Sequence, residues 1–252
     1  MDSTTPLVTI IIPTYNAEQH IAETIKSVQN QTFDKWELIV IDDCSNDATC
    51  SIVKRIMADD TRISLIKNDT NIGVAETRNR GLDICKGKYI AFLDADDIWY
   101  PDKLEQQIEL AEKESADIVY SSYDIIDANG SKVKSSYIVP EAVSYEELLK
   151  ENVIGCSSVV ISREIAEKYR FNNEFYHEDY VLWLHILADG GKAVGCSQVL
   201  TAWRYILNSR SFNKRSAAKE RWFIYRRFCK LSVIKSTVLM CLYAKAAIKK
   251  YR

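Results

Sequence analysis

The sequence predicts an α/β chain whose first half is a parallel, doubly wound sheet with helices on both faces. Three observations carry that expectation. Short apolar runs at Val8–Ile12, Glu37–Ile41, Arg62–Lys67 and Lys88–Leu93 lack polar alternation, as strands covered on both faces do. A stretch with helical spacing follows each run, so strand and helix alternate four times over about 115 residues, the pattern of right-handed parallel crossovers. Polar clusters at Tyr15, Asp43 and Asp94 to Asp97 all fall at the carboxyl ends of strands, the edge where such sheets bind ligands.

Val8 to Ile12 is β-branched throughout and is expected to stop at Pro13, leaving Pro13-Thr14-Tyr15-Asn16 as a loop. Ile21, Ile25 and Val28 then recur at spacings of four and three, which predicts a helix. The second strand ends in Asp42-Asp43, and Ser45-Asn46-Asp47 offers cap chemistry to a helix carrying Ile52 and Ile56. The third strand is weaker; a polar loop from Asn68 to Gly73 leads into a helical Val74 to Cys85. The fourth ends in three carboxylates within four residues, and Pro101 opens a helix whose buried face is Leu104, Ile108 and Ala111. Beyond Glu114 the alternation loosens. A strand is expected over Asp117 to Tyr123, and an Asp127–Gly130 turn into Lys132–Ile138 predicts a hairpin. Ser144 and Glu147 form a capping box, Ser157 to Ile161 reads as a strand, and Phe175 to Asp179 opens a helix with Tyr180, Leu184 and Leu187 on one face.

Composition bounds the class. With 252 residues, 47% hydrophobic and 27% charged, the chain can bury one sizeable core. The net charge of −2 conceals an acidic body, with 21 Lys+Arg against 34 Asp+Glu up to Phe212, and a basic tail with 12 against one. Seven scattered cysteines without a C-x-x-C pair argue against a zinc site or disulfide framework and fit a reducing cytosol. The polar N-terminus does not read as a secretory signal, and no run of 18 uncharged apolar residues is present.

The acidic strand end carries the chemistry. In an extended chain Asp94 and Asp96 point to one side and Asp97 to the other. Two converging carboxylates repel unless a cation lies between them, and hard oxygen ligands in low number suit Mg²⁺ or Mn²⁺ with substrate phosphates completing the shell. On spacing alone, an acidic turn that merely closes a strand is an equal alternative. A dinucleotide fold or a P-loop would need glycines after the first strand, and none occurs between Ile12 and Gly73.

V-T-I-I-I-P-T-Y-N at Val8 to Asn16, Q-T-F-D-K-W-E-L-I-V-I-D-D-C-S-N-D at Gln31 to Asp47, N-I-G-V-A-E-T-R-N-R-G at Asn71 to Gly81 and G-K-Y-I-A-F-L-D-A-D-D at Gly87 to Asp97 together resemble the family 2 glycosyltransferases. These are inverting enzymes common in bacterial polysaccharide assembly. The resemblance spans roughly residues 7 to 212, densest up to about Leu104; Cys44 departs from the family's usual small or polar residue. It implies a GT-A fold, a Rossmann-like, mostly parallel sheet. A nucleotide-sugar half is expected over residues 1–120, an acceptor-side mixed α/β half over 121–212 and a basic helical tail over 213–252.

The resemblance also assigns roles. The loop of Pro13, Thr14, Tyr15 and Glu18, together with Asp43, would hold base and ribose. Arg78 would lie near the nucleotide, a solvated helix arginine being the alternative. Asp94-Ala95-Asp96 matches the D-x-D element, with Asp94 on ribose or metal-bound water and Asp96 ligating Mn²⁺ or Mg²⁺ on the diphosphate. Glu178-Asp179 matches the E-D pair, with Asp179 the base and Glu178 orienting the site. Inversion needs such a base on the sugar face opposite the leaving nucleotide. His177 and His185 have no ligand-like spacing, although His177 falls near the acceptor. Arg204, with Asn208-Ser209-Arg210-Ser211, matches an element that closes over the diphosphate.

From Arg221 the tail mixes cations with large apolar groups, and Leu231, Ile234, Val238 and Leu242 trace one helical face suited to an anionic membrane surface; packing on the body or on a partner subunit is the alternative. The acidic body argues against nucleic acid. The expected activity is metal-dependent hexosyl or N-acetylhexosaminyl transfer, from a UDP-sugar to a glycan hydroxyl. The acceptor would be carried on undecaprenyl diphosphate at the inner face of the cell membrane, with a homo-oligomer admitted. The rivals are a sugar-phosphate nucleotidyltransferase and a non-catalytic membrane-attached binding module.

Overall fold

In the computed structural model, the structure describes residues 5–205 and 214–251. The first half alternates as expected: β1 (Val8–Thr14), α1 (Ile21–Gln29), β2 (Trp36–Asp42), α2 (Thr49–Met57), β3 (Ile63–Lys67), α3 (Val74–Ile84) and β4 (Tyr89–Phe92). The second half adds β5 (Ile98–Trp99), α4 (Lys103–Glu114), β6 (Ile118–Ile126), α5 (Tyr145–Lys150), β7 (Val160–Ser162), α6 (Arg163–Lys168), α7 (Glu178–Ala188) and β8 (Ala193–Arg204). The tail forms α8 (Lys214–Phe223) and α9 (Val233–Tyr251).

All eight strands share one sheet, ordered β3-β2-β1-β4-β7-β6-β8-β5. β3, β2, β1 and β4 are parallel; β7 turns antiparallel to β4 and β6, while β8 lies parallel to β6. The expected boundary at residue 120 falls inside β6, so the two halves are parts of one layer. Both faces of the parallel half are covered. Ile11, Ile39 and Phe92 belong to the core that includes α7 residues, whereas Ile10, Leu38 and Val40 pack with Ile21, Ile25 and Leu104. This is why those strands read as uniformly apolar.

The register creates the site. β4 ends with Phe92 opposite Ile11, while β1 continues to Thr14 opposite Asp42. The chain leaving β4 therefore turns in a step at the carboxyl edge. α3 can approach this step because a Cβ on Gly81 would stand only 2.7 Å from Ile11 Cγ2. That close approach brings Arg78, one turn earlier on the same face of α3, beneath the end of β4.

Several expectations are corrected. Pro13 lies within β1, past the last residue paired to β4, where its missing N–H leaves no ladder bond open. α2 starts at Thr49 with Ala48 as cap residue; Asp47 accepts from Thr49 N at 3.0 Å, and Ser45 Oγ instead accepts from Asn16 N at 2.9 Å. The Asp127–Gly130 turn forms, with Gly130 at φ +82, but Lys132–Ile138 returns along β6 through the isolated bridges Tyr123–Tyr137 and Ile126–Lys132 rather than as a strand. Cys156–Ser158 is a 3₁₀ turn and only Val160–Ser162 pairs as β7, because Ser157 and Ser158 bond to neighbouring loops. The tail is not one continuous amphipathic helix. A π-helical segment, Ile224–Phe228, precedes a break where Lys230 adopts φ +51, and Leu231 turns back against the core.

Candidate active site

A cavity of about 680 Å³ opens at the carboxyl edge of the parallel strands. Pro13, Tyr15, Arg78, Asp94, Ala95, Asp96, Glu178, Asp179 and Arg204, residues far apart in sequence, all line it. Tyr15 stands at the mouth, 51% exposed, an aromatic face available for stacking. Its loop is tied to the next one by bonds from Ala17 N to Thr49 Oγ1 (2.8 Å) and Asn46 N to Asn16 Oδ1 (2.9 Å).

The acidic turn is braced from three sides. Thr24 Oγ1 donates to the carbonyls of Ala95 (3.0 Å) and Asp97 (2.9 Å). Ser157 Oγ accepts from Asp94 N at 3.0 Å and donates to Asp97 Oδ2 at 2.5 Å, while Arg204 N donates to Asp97 Oδ1 at 2.8 Å. Asp97 is thus buried and works as a pin between β4, the 3₁₀ turn and β8. Burial, with the charges of Asp96 and Asp94, holds its carboxyl well above the ordinary range. Asp94 and Asp96 line the cavity from a tight turn closed by Asp97 N donating to Asp94 O at 3.1 Å, so turn geometry replaces the extended alternation expected here.

Arg78 joins the two ends of the site. It is 3% exposed, donates from Nη2 to Asp94 Oδ1 at 2.5 Å and from Nη1 to Glu178 Oε1 at 2.7 Å. The alternative of a solvated helix arginine is overturned: Arg78 is buried, paired and part of the cavity wall. It fixes the distance between the acidic turn and the first turn of α7, where Asp179 follows Glu178. Asp179 Oδ1 accepts from Tyr180 N at 2.7 Å. Burial first, then the Glu178 charge, push Asp179 up to about 7 against the opposing pull of Arg78. A carboxylate poised there can take a proton near neutral pH.

Asp96 is pushed up to about 6, first by burial and then by the Asp94 charge. Arg78 pairs with Asp94 and leaves Asp96 without that counter-charge. This donor set, two carboxylates of which one gains from a cation, fits a hard divalent ion. Among the described residues no group of three or more His, Cys, Asp and Glu side chains is arranged around a metal site, so substrate oxygens would have to complete the shell.

Four expected binding residues behave differently. Thr14 Oγ1 faces Asp42 Oδ1 (3.4 Å) and Ile41 O (3.5 Å) inside the sheet edge. Glu18 reaches Ala48 N at 2.8 Å, supporting the start of α2. The Asp43 carboxylate accepts from Asn68 Nδ2 (2.8 Å), Ile72 N (2.9 Å) and Gly73 N (2.8 Å), so it shapes the loop entering α3. Arg204 lines the cavity, but its guanidinium is occupied by Asp96 O (2.7 Å), Asp127 O (3.1 Å), Ala128 O (3.0 Å) and Glu23 Oε2 (2.7 Å). It braces the acidic turn instead of offering a fork to phosphate. Asn208-Ser209-Arg210-Ser211 lies outside the described residues. His185 packs edge-on to Tyr169 and Phe228, and His177 precedes α7 at the cavity wall. Sequence reasoning missed Thr24, Ser157 and Glu23, whose only signal is a polar residue within an apolar stretch.

The family model for glycosyl transferase family 2 matches residues 9–173. The Bacillus subtilis protein TuaG, named for a glycosyltransferase role in teichuronic acid biosynthesis, is 38% identical over 97% of each chain. The Escherichia coli UDP-Glc:alpha-D-GlcNAc-diphosphoundecaprenol beta-1,3-glucosyltransferase WfgD is 40% identical over 88% of this chain and 86% of its own. Among solved structures, Staphylococcus aureus TarS residues 1–349 with UDP-GlcNAc superposes with TM-score 0.75 at 18% identity, covering 94% of this chain and 71% of that one. The mannosyltransferase PcManGT from Pyrobaculum calidifontis, with GDP-Man and Mn²⁺, gives 0.72 at 18%, covering 98% and 74%. The chain belongs to glycosyl transferase family 2 and has the GT-A fold.

Breaking the Arg78 bridge exposes its importance. Arg78→Met leaves Glu178, with a side chain only 9% exposed, buried and unpaired, and should lower unfolding free energy by about 3 kcal/mol in urea titrations. The Asp94 arm, 38% exposed, adds little because solvent screens it. Adding Glu178→Gln should return part of the loss; strict additivity of the two changes would refute the bridge.

Proposed function

We propose that this family 2 enzyme transfers one hexosyl or N-acetylhexosaminyl unit, with inversion, from a UDP-sugar to a hydroxyl of a glycan carried on a lipid diphosphate, in the assembly of a surface polysaccharide. The observation that carries the reading is the placement of a metal-suited acid pair and a separate, neutral-range carboxylate in one cavity, held apart by Arg78. WfgD and a second Escherichia coli relative, WfaP, 39% identical over 82% of this chain, are both named for a UDP-Glc donor and a diphosphoundecaprenol-linked acceptor, which supports the substrate classes.

Tyr15 and Pro13 offer the wall for the base, and Asp43 acts at one remove through the 68–73 loop. Asp94 and Asp96 would hold Mg²⁺ or Mn²⁺, which when bound neutralises the diphosphate as it leaves. Asp179 removes the proton from the attacking acceptor hydroxyl as the bond to the diphosphate breaks. Glu178, fixed by Arg78, orients the first turn of α7 and keeps Asp179 on the acceptor side. The α7 N-terminus favours the ionised form of Asp179, offsetting part of the burial that raises it.

α9 gives the lipid reading a surface. One face packs on the body through Leu239 and the Lys235–Glu146 pair. The other presents Val233 (56% exposed), Ile234 (80%), Val238 (54%) and Leu242 (36%), with Lys230, Lys235 and Lys245 also exposed along this part of the tail. Packing on the body and an outward apolar stripe therefore coexist, without Leu231. Among the described residues no helix is long and apolar enough to cross a membrane. We place the enzyme on the cytoplasmic face of the cell membrane, resting on α9; a homo-oligomer is compatible with this arrangement.

Three outcomes test this reading. Asp179→Asn should abolish sugar transfer while UDP binding survives. In the wild type kcat/KM should rise with pH and level off above about 7 as Asp179 loses its proton; a flat profile from pH 5 to 9, or near-normal turnover of the variant, removes Asp179 as the base. Asp96→Asn should erase the dependence of UDP affinity on Mn²⁺ in calorimetry, and unchanged metal dependence would exclude Asp96 as ligand. Ile234→Glu with Val238→Glu should release the protein from sedimenting vesicles containing anionic lipid, and equal sedimentation of wild type and variant would exclude the α9 surface.

A further inference from the structure

Three arginines line the cavity, and they are not alike. Arg78 and Arg204 are both paired with carboxylates. Arg221, in the last turn of α8, is 7% exposed and forms no ion pair with a carboxylate among the described residues. Its guanidinium is sandwiched between the rings of Tyr180, 4.1 Å away, and Tyr243, 4.4 Å away, with the Tyr225 hydroxyl bonded to it. One terminal nitrogen, Nη1, is buried with no hydrogen-bond partner. A buried cation with an unmet donor and no counter-anion is a costly arrangement, tolerated where a ligand supplies the missing charge.

We infer that Arg221 binds a phosphate of the acceptor's lipid diphosphate. A guanidinium fork matches phosphate oxygens, and the two flanking rings fix its plane in advance. Placement assigns the source. The donor's diphosphate has its own end of the cavity at Asp94 and Asp96, whereas Arg221 stacks on Tyr180, the residue directly after Asp179. It therefore shares the α7 end of the cavity with Asp179, the end assigned above to the acceptor. Tyr243, its second ring, comes from α9, the helix whose outward face is apolar. A sugar hydroxyl at Asp179, a phosphate at Arg221 and a lipid leading toward α9 follow the order sugar, diphosphate, lipid along one molecule. This inference rests on the lipid-diphosphate acceptor proposed above and names the residue that reads it.

The test uses the full chain with saturating UDP and Mg²⁺, and a short polyprenyl diphosphate as probe in calorimetry. Wild type should bind it, and Arg221→Met, which keeps the packing stem, should bind at least about tenfold more weakly. Arg221→Lys should recover part of the affinity, and the corresponding polyprenyl alcohol should bind wild type and Met variant alike. UDP affinity should be the same in all three proteins. No binding by wild type, equal binding by the Met variant, or a loss of UDP affinity in both folded variants overturns the inference; the last would assign the cation to the donor. A parallel transfer assay separates the two readings. Transfer to an alkyl-linked sugar without probe binding keeps the enzyme and removes the Arg221 site. Probe binding through Arg221 without transfer to any diphosphate-linked sugar keeps the site and removes the proposed acceptor.

Discussion

One buried guanidinium between two carboxylates sets the geometry of this site. Arg78 reaches the acidic turn with one nitrogen and the α7 N-terminus with the other, so the two ends of the cavity are tied to each other. Neither contact would form if α3 lay further from the sheet, and that approach depends on the missing side chain at Gly81. A packing detail between a helix and β1 thus decides where Asp179 stands relative to Asp94 and Asp96. Catalysis by such a pair is a matter of position before it is a matter of acidity.

The same economy appears at the end of β4. Three acids within four residues would repel each other in an unsupported loop. Here Asp97 is withdrawn into the interior and held by Ser157 and the Arg204 backbone, while Thr24 ties down the carbonyls around it. Arg204 adds four side-chain contacts, to Asp96 O, the 127–128 turn and Glu23. The turn is held because its backbone oxygens and the Asp97 carboxylate are satisfied, which leaves the Asp96 carboxylate free of structural duty and the Asp94 carboxylate tied to Arg78 alone. That division of labour follows from the tight turn closed between Asp97 N and Asp94 O, and it gives the third acid a structural role.

Much of this was legible in sequence, for a physical reason. Strands buried on both faces and helices with one apolar stripe write strong periodic signals, so β1 to β4 and α1 to α4 emerged in order, with the acids at the right edge. The Asp94-Ala95-Asp96 pair was visible because ionisable residues at a strand end stand out, whereas Glu178-Asp179 was singled out by the family resemblance. Long-range bonding was not visible. Arg204 looked like a phosphate ligand because its sequence says nothing of the Asp127 and Ala128 carbonyls waiting around it. Asp43 looked like a ribose acceptor because the amides of Ile72 and Gly73 are about thirty residues away. Hairpins suffered likewise: the turn at Gly130 is local and was readable, whereas the pairing of residues 132–138 depends on what else borders β6.

The charge division along the chain also acquires a meaning. An acidic body is a poor receptacle for anionic substrates, and burial raises Asp96 and Asp179 further by making their ionised forms expensive. Both groups are held above the unfolded carboxyl range. The stability that their neutral forms lend is complete below about pH 4 and is lost as pH rises through about 6 and 7, so at neutral pH the folded enzyme carries the strain of two reluctant carboxylates. Arg78 relieves part of that strain between Asp94 and Glu178, the divalent ion proposed above would relieve it at Asp96, and the basic tail adds charge at the far wall. The tail supplies the one cavity arginine with no carboxylate of its own among the described residues, and it enters between Tyr180 and Tyr243 from the side that also carries the apolar stripe. For the lipid-diphosphate acceptor proposed above, an acidic body needs its opposite charge where that substrate arrives, and the helical tail carries it.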